Sequence, residues 1–288
     1  MTPVVALVTG ASSGIGRETA LALAARGVKV YAAARRDMAD LGRRGIRTVQ
    51  LDVTNDESMR GCVETVLSEQ THIDILVNNA GYGSYGAIED VAIDEARRQF
   101  EVNVFGAMRV AQLILPTMIG QGSGRIINVS SMGGRFSMAL GGWYHATKYA
   151  LEAVSDALRQ EVRGFGVDVV LIEPGLIHTE WPKIAADHLR TASGLGRYAD
   201  IANSFAAGLE FTSRGFATDP AVIARVIANA ATGSRRPRTR YRAGLGAVPL
   251  TTLVSLLPDR VYDAAIRLFL KHAGDLLSLV RDPVPESR

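Results

Sequence analysis

The chain has 288 residues, of which 47% are hydrophobic and 21% are charged, and this composition excludes an intrinsically disordered protein. The net charge is +3, and its excess lies in the last quarter, where residues 214–288 hold 12 basic and 6 acidic side chains. A basic chain raises nucleic-acid binding as a hypothesis, but basicity confined to one region is weak support for it, so we expect no nucleic-acid partner. The single cysteine, Cys62, excludes an internal disulfide and a cysteine metal cluster, and we expect a cytoplasmic protein.

Short apolar runs rich in β-branched residues alternate along the chain with stretches of helical periodicity. The strands are predicted at residues 4–9, 28–34, 48–51, 73–77, 124–129 and 167–172, with a short further strand near residue 241. The helices are predicted at residues 14–26, from 54 or 55 onward, at 144–165 and 219–231, and residues 94–119 are predicted as one or two helices. This alternation predicts an α/β fold: a single Rossmann-like domain over residues 1–288, with a doubly wound parallel sheet in three layers.

A glycine-rich turn follows the first predicted strand, with the sequence Thr9-Gly10-Ala11-Ser12-Ser13-Gly14-Ile15-Gly16. Such a turn lets backbone N–H groups approach a pyrophosphate at the N-terminus of the following helix. The spacing differs from the commoner dinucleotide fingerprint and from a P-loop, and a glycine-rich turn without a ligand is the alternative interpretation.

Further motifs follow in a fixed order. Asn78-Asn79-Ala80-Gly81 comes after the fourth strand, Ser131 lies just past the fifth, and Tyr144 and Lys148 are four residues apart, hence on one helix face. Together with the glycine-rich turn, these motifs resemble the short-chain dehydrogenase/reductase family, and over residues 4–180 the resemblance is dense. It implies hydride transfer with a nicotinamide cofactor. The Val-Tyr-Ala-Ala-Ala-Arg-Arg segment and the Tyr-Arg-Ala-Gly segment resemble the branch of 17-beta-hydroxysteroid and retinol dehydrogenases.

The end of the second strand indicates which cofactor is used. An acidic residue there would favour NAD, but the sequence has Arg35 and Arg36, and Arg35 stands where members of the family that use NADP carry a basic residue. A guanidinium can hold a 2′-phosphate by two charge-assisted bonds, so we predict NADP(H). A solvated pair of arginines is the alternative.

The resemblance implies the other cofactor contacts as well. The expected cofactor-binding residues are Gly10, Ser12, Ser13, Gly14, Ile15, Gly16, Arg35, Arg36, Asp52, Val53, Asn79, Ala80, Gly81, Tyr144, Lys148, Pro174, Gly175, Ile177 and Thr179. For Asp52 and Val53 an ordinary helix start is the alternative interpretation.

Reduction of a ketone requires a hydride at carbon and a proton at oxygen. Tyr144 is the predicted general acid and base, because a cation at Lys148 would favour its phenolate, and the Ser131 hydroxyl would orient the substrate oxygen. The resemblance gives Lys148 a bond to the nicotinamide ribose and places Asn103 in a water-bridged proton relay. The five histidines show no metal-ligand spacing, so no metal site is predicted, and His145 is expected to point away from the site.

Apolar and aromatic side chains after the later strands predict a lipophilic carbonyl or alcohol substrate, held by Ser131, Tyr144, Met132, Phe136 and Trp181. Further candidates for the substrate wall are Tyr82, Tyr85, Met138, Leu140, Trp143, Leu189, Tyr198, Phe205 and Phe211. Residues 180–215 are predicted to form a helical lid over this wall. Ordinary packing of the lid onto the body is the alternative role for these side chains.

Two regions predict contacts with partners. Residues 105–119 are apolar almost all round, which predicts a buried helix, and in the resembled family this helix pairs between subunits, so a homodimer or homotetramer is expected. In the C-terminal extension, about residues 243–288, a basic amphipathic pattern indicates packing onto the body, contact with a membrane surface, or a cover over the substrate mouth. The alternative functions are a non-catalytic NADP-binding regulatory protein and an epimerase or dehydratase of the same fold.

Overall fold

The computed structural model describes residues 2–212 and 217–278. Its seven strands are β1 (Val5–Thr9), β2 (Lys29–Ala34), β3 (Arg47–Gln50), β4 (Ile75–Asn78), β5 (Gly124–Val129), β6 (Val167–Pro174) and β7 (Arg240–Ala243). They form one sheet in the order β3-β2-β1-β4-β5-β6-β7, and each neighbouring pair is parallel. The predicted Rossmann-like fold is confirmed, and so is the short strand near residue 241.

The helices cover both faces of this sheet. They are α1 (Gly14–Ala24), α2 (Ala39–Gly42), α3 (Asp56–Gln70), α4 (Ile93–Phe100), α5 (Ala107–Gln121), α6 (Gly142–Val162), α7 (Trp181–Ser193), α8 (Ala199–Thr212), α9 (Pro220–Thr232), α10 (Ala247–Val254) and α11 (Asp259–Ser278). One apolar core lies between the sheet and α1, α2 and α9, and a second lies between the sheet and α3, α5 and α6. Burial of both sheet faces explains why the inner strands, such as β1 and β4, are largely apolar, whereas the edge strands β3 and β7 carry polar residues.

The strand order reverses between β1 and β4, because β1 is followed in the chain by β2 on one side, whereas β4 leads to β5 on the other. At such a switch point the connections leave in opposite directions and open a crevice outside the carboxyl ends of the strands. The loops after β1 and β4, which carry Gly10–Gly16 and Asn79–Gly81, therefore lie on either side of one crevice.

The helical region predicted over residues 94–119 is interrupted by a π-helical turn, Glu101–Gly106, between α4 and α5. The expectation of a helix buried on all sides is wrong in part, since Phe105 is 55% exposed and Ile119 37% exposed. By length and composition alone, Ile93–Gln121 could cross a membrane, but core helices of soluble proteins meet the same criterion. Residues such as Ile114 and Met118 are fully buried in the core of the second face.

The lid predicted at residues 180–215 contains α7 and α8, which pack on each other and form a third apolar cluster with α11. The predicted C-terminal pattern forms two helices, α10 and α11, separated near Pro258. The end of the lid at residues 213–216 and the tail at 279–288 lie outside the described residues.

The basic strip at residues 235–242 is held largely by the protein itself. Arg236 Nε bonds Asp168 at 2.8 Å, and Arg242 donates to the Thr251 hydroxyl at 3.1 Å. Arg240 contacts three carboxyl groups, those of Glu152, Asp156 and Glu173. These contacts give the basic strip a structural role in joining β7 to its neighbours.

Candidate active site

A cavity of about 1110 Å³ lies at the carboxyl ends of the strands, between the glycine-rich turn, the lid and the C-terminal helices. It brings together nearly all of the predicted site residues. Among the predicted catalytic and cofactor-binding residues, the exceptions are Gly16 and Asn103, which do not line it. Their positions explain both exceptions.

Gly16 lies beneath the glycine-rich turn. A Cβ at this position would overlap the Gly10 carbonyl oxygen and the Asn79 side-chain amide. The same amide donates hydrogen bonds to the carbonyls of Thr9, at 3.1 Å, and of Gly10, at 3.2 Å. The Thr9 hydroxyl in turn accepts the backbone N–H groups of Asn79 and Ala80. Gly16 and Asn79 therefore fix the shape of the turn, while Gly10 to Ile15 form its surface.

Asn103 lies in the π-helical turn and is 1% exposed. Its Nδ2 donates to the Tyr82 carbonyl at 2.8 Å and to the Thr147 hydroxyl at 3.0 Å, and its Oδ1 accepts the Tyr82 N–H at 3.0 Å. The side chain thus joins the loop after β4 to α6, beside Lys148. With these contacts made, the side-chain amide serves to position its neighbours, and the relay implied for Asn103 remains a prediction.

Arg35 and Arg36 both line the cavity next to the turn. The Arg36 guanidinium donates to the hydroxyls of Ser12, at 3.2 Å, and Ser13, at 2.7 Å, and it contacts Glu180 of the lid side at 3.3 Å. Arg36 therefore lies over the start of α1, where a helix N-terminus already favours an anion. Together the two arginines give this end of the cavity a positive charge.

Asp52 and Val53 line the cavity after β3. Asp52 Oδ1 accepts the N–H and the hydroxyl of Thr54, at 3.0 and 2.8 Å. Burial by itself raises the pKa of the Asp52 carboxyl, but the bonds from Thr54 and the charge of Arg35 outweigh it and lower the pKa. The cap of α3 is Asn55, which accepts the Ser58 N–H at 2.8 Å, so Asp52 remains available to the cavity.

Tyr144, Ser131 and Lys148 meet in the middle of the cavity. Burial raises the pKa of Tyr144 to about 12, and a hydrogen bond with the Ser131 hydroxyl acts in the opposite direction. Burial lowers the pKa of Lys148 to about 8, and the charge of Glu152 opposes that shift. The Lys148 ammonium donates to the Val129 carbonyl at 3.0 Å and lies 6.0 Å from the centre of the Tyr144 ring. A buried phenol, a hydroxyl and a buried amine at these positions can pass a proton to or from a bound oxygen.

An aromatic wall extends from Tyr144 towards the tail. Ring centres lie 5.1 Å apart for Tyr144 and Trp181, 5.7 Å for Trp181 and Tyr85, and 5.9 Å for Tyr85 and Phe205. Phe205 and Phe269 continue it at 6.3 Å, so the wall joins α6 to α11. Its apolar surface suits a hydrophobic chain or ring system.

The structure separates the predicted substrate wall into two groups. Tyr82, Tyr85, Met132, Phe136, Met138, Trp181 and Phe205 line the cavity, whereas Leu140, Trp143, Leu189, Tyr198 and Phe211 do not. Leu140, Leu189 and Tyr198 belong to the apolar cluster beneath the lid, as the packing alternative predicted. Trp143 lines a separate groove beside α4.

The expectation that His145 points away from the site is wrong. His145 is 3% exposed and lines the cavity, and its Nδ1 lies 2.9 Å from the Gly133 carbonyl. The C-terminal helices also line the cavity, as the alternative of a cover over the substrate mouth predicts, through Leu250, Val254, Tyr262, Ile266 and Phe269; Leu250 and Tyr262 were not among the predicted residues. The amphipathic pattern of this region was the available signal, but it does not show which partner the apolar face covers.

The residues present fit a dinucleotide. The turn has no room for a side chain at Gly16, two arginines lie where a ribose phosphate would be held, and the cavity continues to Tyr144 and Lys148 without a break. The described residues contain no group of three or more acidic, histidine or cysteine side chains that could hold a metal.

Comparisons with known proteins agree with this geometry. The family model for short chain dehydrogenases matches residues 4–188. A probable short-chain type dehydrogenase/reductase of Helicobacter pylori, VdlC, is 38% identical over 269 residues, which are 91% of this chain and 96% of the relative. The 3-ketodihydrosphingosine reductase of Bacteroides thetaiotaomicron is 34% identical over 276 residues, 93% of this chain and 98% of the relative.

Two solved structures share the fold. A short-chain dehydrogenase from Streptomyces avermitilis has a TM-score of 0.76 and 33% identity, covering 98% of this chain and 100% of that one. The closed form of a serine dehydrogenase complexed with NADP+ has a TM-score of 0.73 and 26% identity, covering 84% of this chain and 94% of that one. A nicotinamide cofactor is therefore indicated. The chain belongs to the short-chain dehydrogenase/reductase family, oxidoreductases that act on CH–OH groups.

Proposed function

We propose that this protein is an NADP(H)-dependent oxidoreductase that interconverts a lipophilic ketone or aldehyde and its alcohol, with Tyr144 as general acid and base. The observation that carries the proposal is one continuous cavity with three parts. A turn flanked by arginines lies at one end, Tyr144 with Ser131 and Lys148 in the middle, and an aromatic wall at the other end. A regulatory protein without turnover would need no buried proton donor next to a hydroxyl and an amine.

The cofactor supplies the hydride when it is bound. Arg35 and Arg36 would hold its 2′-phosphate, the N–H groups of the turn its pyrophosphate, and Lys148 its nicotinamide ribose. On the nicotinamide side, Pro174, Gly175, Ile177 and Thr179 line the cavity where β6 ends. These roles extend the family resemblance residue by residue.

For reduction, Ser131 bonds the substrate oxygen and places it beside Tyr144. Because burial raises the pKa of Tyr144 to about 12, this group holds its proton at neutral pH. It can give this proton to the substrate oxygen as the carbonyl is reduced and negative charge develops on that oxygen. The Lys148 charge then stabilises the phenolate that is left behind. For oxidation the proton passes in the opposite direction.

The substrate class follows from the far end of the cavity, which is lined by Trp181, Phe205, Leu209, Ile266 and Phe269. A long or polycyclic apolar group would bury these surfaces at roughly 25 cal/mol per Å². The Bacteroides relative is named for 3-ketodihydrosphingosine, and the sequence resembles the branch of steroid and retinol dehydrogenases. The first substrate panel therefore consists of 3-ketodihydrosphingosine, steroid ketones and retinoid aldehydes.

The test is a panel of such carbonyls with NADPH and NADH, followed by cofactor absorbance. Tyr144→Phe should lower turnover about 10²–10⁴-fold and leave NADPH binding unchanged. Tyr149→Phe is the matched control, because this tyrosine lies on the same helix and is 45% exposed outside the cavity. Full turnover in Tyr144→Phe would overturn the assignment.

We also propose a homodimer or homotetramer formed through α4, α5 and the π-helical turn. Ile93 and Phe105 are 52% and 55% exposed, and the groove beside them is lined by Phe100 and Trp143. Light scattering after size exclusion tests this assembly. A wild-type monomer, or no dissociation in Phe105→Glu, would contradict it.

We propose further that the protein is cytoplasmic and touches a membrane surface through α10 and α11. Val248, Leu253, Leu256 and Leu268 are each more than half exposed near the mouth of the cavity, and Arg267 and Lys271 are exposed beside them. Binding to anionic vesicles should weaken in Leu253→Glu/Leu256→Glu. Equal vesicle binding by this variant would exclude the surface.

A further inference from the structure

A cluster of buried charged side chains lies next to Lys148 but does not line the cavity. Glu152 is one helical turn beyond Lys148 on α6 and is 5% exposed, and Glu173, near the end of β6, is 1% exposed. Arg240, at the start of β7, lies against both. None of these residues belongs to the motifs that identify the family.

Arg240 is the counter-charge of this cluster. Its Nε lies 3.0 Å from Glu152 Oε2 and 3.3 Å from Glu173 Oε1, while its other end bonds Asp156. Glu152 Oε1 has no hydrogen-bond partner among the described residues. Arg159 also bonds Asp156, at 2.9 Å, so Arg240 is the cation shared by Glu152 and Glu173, and the charge of Glu152 is only partly balanced.

The remaining charged groups around the cluster do not remove this imbalance. Burial raises the pKa of Glu173, and the charge of Glu152 raises it further, whereas Arg135, Arg240 and Arg242 act in the opposite direction. Glu152 lies one helical turn from Lys148 on α6, whereas Glu173 lies on β6. The charge of Glu152 also raises the pKa of Lys148 and so opposes the effect of burial.

Gly134 explains how a carboxylate fits here. A Cβ on this residue would lie 2.9 Å from the Ser130 hydroxyl, 3.0 Å from Glu152 Cγ and 3.2 Å from the Lys148 carbonyl. The short helical turn after Ser131 can therefore pack on α6 only because position 134 has no side chain. This packing closes the cluster from that side.

We propose that Glu152 is a positioning residue for the reaction: its carboxylate, balanced by Arg240, keeps the buried Lys148 protonated beside Tyr144. The inference rests on the proposed function of Tyr144 and Lys148. An ammonium taken out of water loses hydration, and a fixed negative charge one turn away restores part of what is lost. Without it, Lys148 would lose its proton at a lower pH, and Tyr144 would lose the cation that stabilises its phenolate over a wider pH range.

The first measurement needs no turnover. The chain has four lysines, so the titration of each can be followed by NMR on protein with isotopically labelled lysine, with Lys148→Arg giving the assignment. Glu152→Gln should lower the pKa of Lys148 by about one pH unit, the usual size for one nearby charge, whereas Glu152→Asp should restore most of it. Asp156→Asn is the matched control, because this acid also bonds Arg240 but is farther along the helix and half-buried, and it should leave the pKa of Lys148 within a few tenths.

The second measurement is the pH dependence of kcat/KM for reduction. In Glu152→Gln the decline at high pH should move to lower pH by a similar amount, and in Arg240→Met it should move to higher pH, because the balancing cation is gone. A structural role alone would not shift the two variants in opposite directions. Should Arg240→Met fail to fold, the comparison of Glu152→Gln, Glu152→Asp and Asp156→Asn tests the role of Glu152 by itself.

An unchanged Lys148 titration in folded Glu152→Gln, or a shift to higher pH, would overturn the inference. A lowered pKa of Lys148 in a protein that shows no Tyr144-dependent turnover would instead overturn the proposed function and leave this electrostatic role standing.

Discussion

The two ends of the cavity are built from different materials. The cofactor end consists mainly of backbone, glycine and short polar side chains in the loops that follow β1 and β4, as in Gly10–Gly16 and Asn79–Gly81, with Arg35 and Arg36 after β2. The substrate end consists of large side chains from separate helices, among them Trp181 of α7, Phe205 of α8 and Phe269 of α11. A shape made by backbone tolerates little change, whereas a wall made by side chains changes with each substitution.

This difference has a functional consequence. A dinucleotide is the same molecule in every enzyme that uses it, so a rigid cradle suits it, and the rigid parts of the fold are the strand ends. A substrate wall carried by α7, α8, α10 and α11 can be altered without disturbing the sheet. The proposed proton-transfer group, Tyr144 with Lys148, lies where the two ends meet.

The largest effect is expected where the cofactor end has no spare space. In Gly16→Ala the added methyl group would overlap the Gly10 carbonyl oxygen and the Asn79 amide, so the turn must move. We expect a loss of about 1–3 kcal/mol in unfolding free energy, typical of overpacking, together with loss of NADPH binding. Gly120→Ala in α5 is the control, because a Cβ there meets no atom within 4 Å. Equal NADPH affinity in both variants would show that the turn is not the rigid cradle inferred above.

The next effect concerns the junction of the two ends, where a buried charge costs stability. The pKa of Lys148 is about 8 in the folded chain against 10.5 for an ordinary lysine, so its charged form disfavours folding below pH 8, and the penalty disappears as pH rises through 10.5. After allowing for the lost bond to the Val129 carbonyl, Lys148→Met should stabilise the cofactor-free protein at pH 7 by on the order of 2 kcal/mol.

Urea unfolding of Lys148→Met at pH 7 and above pH 10 measures this gain, which should shrink at the higher pH. Lys183→Met, an exposed lysine of α7, is the control and should change little. A lower unfolding free energy of Lys148→Met at pH 7 would contradict this prediction, because it would mean that Lys148 stabilises the fold.

The third effect separates charge from shape at the cofactor end. Arg35 is exposed and lines the cavity, so Arg35→Ala removes a cation without disturbing the core. Loss of a bond to a charged phosphate should weaken NADPH binding about 10–100-fold and leave NADH binding unchanged. Arg44→Ala, exposed and outside the cavity, is the control. A wild-type preference for NADH that Arg35→Ala leaves unaltered would contradict the assignment of the 2′-phosphate.

The same division explains what the sequence could predict. Local patterns carry the cofactor end: a turn of fixed spacing after a strand, an Asn-Asn-Ala-Gly segment after another, and Tyr144 and Lys148 one turn apart. Phe269 reaches the substrate end only because α11 packs against α8, and Phe269 lies more than 60 residues after α8 begins. Periodicity shows that one face of such a helix is apolar, but it does not show where that face packs. His145 was misplaced for a similar reason, because its partner, the Gly133 carbonyl, lies in a turn on a different element.

The smallest effect tests the substrate end alone. Phe269 is 45% exposed and closes the aromatic wall against Phe205, so truncation to alanine removes only part of a buried surface, worth about 1 kcal/mol. Phe269→Ala should therefore raise KM roughly fivefold for a long-chain ketone, with kcat, NADPH affinity and KM for a short ketone unchanged. Leu268→Ala, 63% exposed and outside the cavity lining, should leave all four values as they are. If Phe269→Ala and Leu268→Ala behaved alike, α11 would not contribute to substrate binding, and the substrate end of the cavity would be formed by the other helices alone.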